Sequence, residues 1–228
     1  MTLHAIVPAA GIGSRMRATL PKQYLPLAGT SVIEQTLKRL LQVRGVGNIL
    51  VAISESDTYW PGLGISSHRR IQKVNGGRER ADSVLNGLRV LRQKADDNDW
   101  VLVHDAARPC VRVTEIEQLI ETCSSRGEGG LLATPVHDTM KRSDNANRIL
   151  ETVPRDNLWH ACTPQIFRLG ELTEAIVTAL ESGYPVTDEA SAMEQAGQHP
   201  LLVECSSSNI KITRPDDFAL AEFYLGRE

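Results

Sequence analysis

The sequence predicts an α/β fold: a mostly parallel, doubly wound sheet, Rossmann-like in its first half, with one protruding β-hairpin. Three observations carry this. Apolar runs of strand length stand at Ala5–Val7, Ile49–Ile53, Ile71–Val74, Trp100–Val103, Leu131–Ala133 and Leu201–Val203. Segments with helical apolar spacing lie between several of them, the alternation that a parallel sheet with crossover helices requires. One polar stretch, 136–155, breaks the pattern with two strand-like arms around a turn cluster. At 228 residues the chain is long enough to bury one large core, and it reads as a single domain over 1–228.

The first run, Ala5-Ile6-Val7, leads into Pro8-Ala9-Ala10-Gly11-Ile12-Gly13, small residues that let a backbone loop approach a ligand closely. Two spaced cations follow, Arg15 and Lys22. A strand, a small-residue loop and two positive charges make a phosphate cradle, with loop N–H groups for oxygens and cations for the charge. Two better-known cradles do not fit. Met16 stands where the dinucleotide fingerprint has its third glycine, and Lys22 has neither the preceding glycine nor the following Ser or Thr of a Walker A loop.

A helix is predicted over 31–41, with Ser31 as cap and Glu34 three residues on. Gly45 and Gly47 stop it, and 56–70 reads as loop. After the strand at 71–74, Gly76 and Gly77 place a tight turn at the start of a helix that runs through Leu85, Leu88 and Leu91, with Ser83 in its first turn or two. Trp100–Val103 runs into His104-Asp105-Ala106-Ala107-Arg108-Pro109. Ligands of open α/β sheets bind beyond the carboxyl ends of strands, so Asp105 and Arg108 can face a phosphorylated polyol and a metal there; the alternative is that Asp105 caps a turn and Arg108 is solvated.

Thr114 is expected to cap the next helix, with Glu117 three on. The arms of the hairpin are 139–142 and 149–153, around Ser143–Asn147. Such a hairpin buries little alone, so it is either a solvated surface feature or an arm that grips a second subunit. Leu172 to Leu180 is apolar at helical spacing, and Thr187-Asp188-Glu189-Ala190 opens a short helix in which Glu189 reads as a complement to the helix dipole. Lys211 is predicted to project from a strand, toward solvent or toward the site. Pro215 falls in the first turn of a last helix.

A net charge of −3 argues against general nucleic-acid binding but leaves room for a local basic pocket. No signal peptide and no run of transmembrane length is visible. Cys110, Cys123, Cys162 and Cys205 are widely spread, which suggests neither a zinc site nor a disulfide framework and points to the cytoplasm.

Gly11-x-Gly13-x-Arg15-Met16 followed by Pro21-Lys22 resembles the signature loop of sugar-phosphate nucleotidyltransferases. The form PAAGIGSRM…PKQY is similar to one branch of them, the 2-C-methyl-D-erythritol 4-phosphate cytidylyltransferases of the non-mevalonate isoprenoid pathway. GG-x-x-R-x-x-SV, HDAARP, TPQ-x-F and NIK-x-T continue the resemblance in order along the whole chain. The resemblance implies cytidylyl transfer from CTP to 2-C-methyl-D-erythritol 4-phosphate, by in-line attack of the acceptor phosphate on the α-phosphorus. It implies Arg15 and Lys22 as catalytic groups. Pro8, Ala9, Ala10, Gly11, Gly13, Gly77 and Ser83 would bind the nucleotide. Asp105, Arg108, Thr139, Arg155 and Lys211 would bind the acceptor. Magnesium or another divalent cation would bridge the triphosphate, with Asp105 on either the metal or an acceptor hydroxyl.

It further implies a homodimer that exchanges hairpin arms, so that Thr139 and Arg155 reach the other subunit's pocket. Position 78 is Arg where relatives can carry an acid, so no side-chain role is assigned to it. A related enzyme acting on ribitol 5-phosphate is the nearest alternative. A non-catalytic nucleotide-binding and dimerisation module is the alternative from another class, disfavoured by Arg15 and Lys22 standing together with Asp105.

Overall fold

The computed structural model describes residues 2–11 and 20–227. Its centre is a sheet of seven strands: β1 (Leu3–Pro8), β4 (Val46–Ile53), β5 (Ile71–Asn75), β6 (Trp100–Val103), β7 (Gly130–Pro135), β10 (Trp159–Arg168) and β11 (Leu201–Glu204). The spatial order is β11-β7-β10-β6-β1-β4-β5. β1 runs parallel to β4 and β6, β4 to β5, and β11 to β7; only β10 runs antiparallel to its neighbours β6 and β7.

The winding places the site. From β1 the chain passes through helix α1 (Val32–Gln42) to β4 and on to β5. Helix α2 (Arg80–Arg92) then carries it back to β6, on the other side of β1. The direction of winding therefore reverses between β1 and β6. A crevice opens beyond their carboxyl ends, the usual ligand position of such sheets.

Alternation along the strands supplies two apolar faces. Ala5 and Val7 of β1, with Trp100 and Leu102 of β6, face α1 and helix α3 (Val113–Arg126) through Ile33, Leu37, Ile116 and Leu119. Ile6, Val101 and Val103 face α2 and helix α4 (Leu169–Glu181) through Val84, Leu88, Leu172 and Ile176. Helix α5 (Glu189–Gln195) adds Ala190, Ala192 and Met193 to the second face. Each fully buried Leu or Ile contributes about 1.5–3 kcal/mol relative to exposure. Helix α6 (Asp216–Leu225) closes one corner, where Leu27, Val32, Cys110, Ile212 and Ala221 pack together.

The capping box expected at Ser31 and Glu34 is present: Ser31 Oγ accepts from the Glu34 N–H, and Glu34 accepts from the Ser31 N–H at 3.0 Å. Strands β8 (Met140–Ser143) and β9 (Ile149–Val153) form the hairpin, and among the described residues they pair only with each other. A second small hairpin joins β2 (Pro26–Leu27) and β3 (Thr30–Ser31).

Two local expectations are corrected. α3 begins one residue before Thr114, with Arg112 at the cap position and Glu115 accepting its N–H; Glu117 instead pairs with exposed Arg44 at 3.0 Å. Lys211 does not lie on a strand. The alternation Ile210-Lys211-Ile212 mimics one, but the Ile212 N–H donates to the Ala107 carbonyl, which straps an irregular segment across the loop after β6.

Candidate active site

A cleft of about 310 Å³ opens at the reversal of winding. Three loops that each follow a parallel strand form its walls. The first, Pro8 to Gly11, leaves β1. It is anchored by the Ala9 N–H on the Ala52 carbonyl, and by Gln23 Nε2 donating to the Ala9 carbonyl at 2.8 Å. Gly13 and Arg15, assigned to the cradle by sequence, lie outside the described residues.

The second wall follows β5. A Cβ on Gly76 would stand 2.3 Å from the Cβ of Ala10, and one on Gly77 would stand 2.1 Å from the Cβ of Asp82. Both glycines are thus required by close approach, not by an unusual φ. The Gly77 N–H donates to Ser83 Oγ at 2.9 Å, and that hydroxyl donates to the Glu79 carbonyl. Ser83 therefore fixes the turn against the first turns of α2 while lining the cleft.

The third wall follows β6 and carries the charge. Asp105 is buried, and its carboxylate accepts from Arg80 Nε at 2.9 Å on one oxygen and from Lys211 Nζ at 2.7 Å on the other. Arg108 Nε stands 3.9 Å away. Burial alone would push the Asp105 carboxyl up, but Arg80 and Lys211 hold it well below the usual carboxylate range. Arg80 also grips Glu189 with both terminal nitrogens, at 2.7 and 2.9 Å, and Glu189 is only 1% exposed. Burial opposes the Arg80 charge, yet Glu189 and Asp105 keep the guanidinium above its ordinary range.

Lys22 closes the cleft from a single 3-10 turn, Lys22–Tyr24, and its Nζ donates to the Ile212 carbonyl at 3.0 Å. The strap at 209–213 thereby brings Lys22 and Lys211 to the same side as Asp105. Arg108 stands behind this wall, not on it: its terminal nitrogen donates to the Asn209 carbonyl at 2.6 Å, and its side chain is 12% exposed.

The TPQ segment supports the third wall from β10. Thr163 Oγ1 accepts the Asp105 N–H at 3.0 Å and contacts His104 Nδ1 at 3.0 Å, while His104 Nε2 faces the Arg108 carbonyl at 3.1 Å. A carbonyl only accepts, so Nε2 carries the proton and the threonine hydroxyl donates to Nδ1. Burial pushes the His104 imidazole down to about 4. This gives stability a pH dependence. Above the unfolded value near 6.5, both states are neutral at this group. As pH falls toward 4, the unfolded chain binds a proton that the folded chain refuses. Stability is therefore expected to be lost over that window, by about 3 kcal/mol at its full extent. Urea midpoints at pH 7 and pH 4.5 check it. His104→Gln is expected to shrink the difference, and an unchanged difference would count against the assignment.

Of the residues that the sequence pointed to, Pro8, Ala9, Ala10, Gly11, Lys22, Gly77, Ser83, Asp105 and Lys211 line one cavity. Thr139 and Arg155 are exposed and do not line it; Arg155 donates to the His137 carbonyl at the base of the hairpin. Arg80 and Glu189 were missed. Arg80 is the arginine of the GG-x-x-R motif, so the signal was present without an assigned role. Among the described residues, no group of three His, Cys, Asp or Glu side chains could hold a metal ion. Asp105 is the one buried carboxylate lining the cleft there.

A sequence profile of the 2-C-methyl-D-erythritol 4-phosphate cytidylyltransferase family matches residues 3–227. The chain belongs to this family. A relative named 2-C-methyl-D-erythritol 4-phosphate cytidylyltransferase from Vibrio vulnificus (strain CMCP6) is 55% identical over 227 residues, covering 100% of this chain and 96% of its own. One of the same name from Pseudomonas putida (strain GB-1) is 51% identical over 225 residues, covering 98% and 96%. The crystal structure of the Francisella tularensis cytidylyltransferase superposes with a TM-score of 0.86 at 39% identity, covering 98% of this chain and 100% of that one. The cleft at the β1–β6 crevice is accordingly the candidate active site of a cytidylyltransferase of this family.

Proposed function

We propose that the protein transfers the cytidylyl group of CTP to 2-C-methyl-D-erythritol 4-phosphate, releasing pyrophosphate. The observation that carries this reading is one cleft in which the β1 loop and Lys22 face Asp105 and Lys211, in a chain of this family. The relatives' names favour methylerythritol phosphate over ribitol 5-phosphate as acceptor.

An ionised phosphate is already a nucleophile, so the reaction needs positioning and charge stabilisation, not a general base. The N–H groups of the β1 loop and Arg15 would hold the triphosphate, and Lys22 would stabilise charge growing on the α-phosphate. The Gly77 turn and Ser83 would hold cytosine and ribose. Asp105 and Lys211 would hold the acceptor, with Arg108 behind them tying the 209–213 strap in place.

Magnesium belongs to the same proposal. A single buried carboxylate suits an ion bound chiefly through substrate phosphates, and Asp105 is the side chain that would reach it. When bound, the ion would neutralise triphosphate oxygens.

The hairpin supports a homodimer with exchanged arms. Ile149 and Leu150 are 66% and 64% exposed on a two-stranded element that, among the described residues, joins no other sheet. Thr139 and Arg155 of the partner subunit would then complete the acceptor pocket. Sedimentation as a dimer is expected, and a monomer at working concentration would remove the arm from the proposal. The four cysteines are buried and form no disulfide among the described residues, which supports a reducing compartment, the cytoplasm. No helix among the described residues is long and apolar enough to cross a membrane.

Pyrophosphate release with CTP and magnesium, in parallel with methylerythritol phosphate and ribitol phosphate, tests the function. Release with the first alone is expected. Release with the second alone would reassign the acceptor, and silence with both would favour a binding module.

A further inference from the structure

We propose that Glu189 is a positioning residue for Asp105, acting through Arg80; the kinetic part of this inference rests on the cytidylyltransferase reading. The guanidinium of Arg80 is a rigid plane with its donors in a fixed fork. Glu189 takes both terminal nitrogens, which fixes the plane and leaves Nε aimed at Asp105 Oδ1. Lys211 holds the other oxygen of the same carboxylate. Asp105 is thus gripped from two sides, and one grip depends on a residue 109 positions away from Arg80.

Glu189 is itself immobile. It is the first residue of α5, and Gln165 on β10 clamps that helix start. Gln165 Nε2 donates to Asp188 at 2.9 Å, and Gln165 Oε1 accepts the Ala190 N–H at 2.7 Å. A helix-dipole role would leave Glu189 in solvent near the helix end; a carboxylate that is 1% exposed and bidentate to one arginine has a specific partner.

The pairing also sorts the charges of the cleft. Glu189 cancels the charge of Arg80, whose Nε and terminal nitrogens all point at carboxylates. Arg80 is therefore a clamp and not a phosphate ligand. Removing the Glu189 charge frees the guanidinium to turn about its stem. Asp105 then loses its fixed direction, and Lys211 with it. The first quantity to suffer should be acceptor binding, because both residues stand on the acceptor wall.

The test is Glu189→Gln in the full-length protein, with kcat and both KM values measured beside wild type. The expected result is an acceptor KM raised about tenfold and a CTP KM within about twofold, in a folded protein whose melting temperature falls by roughly 5–10 °C because a buried charge loses its partner. Both KM values unchanged with a lower melting temperature would make Glu189 a mere anchor for α5 and overturn the proposal. If Glu189→Gln does not fold, Arg80→Gln combined with Glu189→Gln removes both buried charges together. An acceptor KM at the wild-type value in that variant overturns the proposal. A readout free of turnover is the Arg80 Nε–H resonance, expected to exchange slowly in wild type and to broaden or vanish in Glu189→Gln. Retention in both proteins contradicts the clamp, whereas a wild type without turnover contradicts only the cytidylyltransferase reading.

Discussion

Lys22→Ala is expected to lower turnover by about a hundred- to a thousandfold, the cost of removing one preorganised charge-stabilising group, about 3–4 kcal/mol. The fold should survive. The Nζ bond to the Ile212 carbonyl comes from a charged donor and is worth about 1.5–3 kcal/mol, and the lysine stem is not part of the core. The loss should fall on kcat, because the charge on the α-phosphate grows between ground state and transition state. Steady-state kinetics separate the cases. A raised CTP KM with unchanged kcat would make Lys22 a ground-state contact only. Near-normal values for both parameters would remove the β1 loop and its lysine from the chemistry. Arg15→Ala is expected to behave similarly on the same reasoning from sequence.

Asp105→Ala is expected to damage both stability and activity. Breaking a buried ion pair by removing one partner costs about 3–5 kcal/mol, because the other charge is left uncompensated. The low end applies here. Arg80 keeps Glu189, and Lys211, with 38% of its side chain exposed, can turn to solvent. A drop of about 3 kcal/mol in urea unfolding at pH 7 is the expected result. Turnover should fall steeply at the same time, since the acceptor wall loses the group that orders Lys211. A variant as stable as wild type would mean that the Arg80–Asp105–Lys211 network is an unforced surface arrangement. Full activity would take Asp105 out of the acceptor site.

Much of this was legible in the chain. Local signals were read where the structure is local. The Ser31–Glu34 box, the strand at Trp100–Val103 and the two arms of the hairpin each depend on residues a few positions apart. The walls of the cleft were legible for a related reason: each loop directly follows a parallel strand, and such loops converge at a reversal of winding. What escaped depends on long-range packing. Two adjacent acids at a helix start look like dipole partners, and only the crossing of α5 near the start of α2 brings Glu189 to Arg80. Lys211 sits in a segment whose alternation reads as a strand, but its neighbour's N–H bonds a loop carbonyl and not a ladder. Arg108 carries a charge at the right place in sequence, yet Asn209 draws it behind Asp105.

The most direct test of the central claim is the stereochemical course at the α-phosphorus, followed with CTP carrying a chiral α-thiophosphate and methylerythritol phosphate as acceptor. Positioning and charge stabilisation of a single in-line attack require inversion of configuration in the product. Retention would mean two displacements through a covalent enzyme intermediate, and would contradict a cleft that acts by holding its substrates in line.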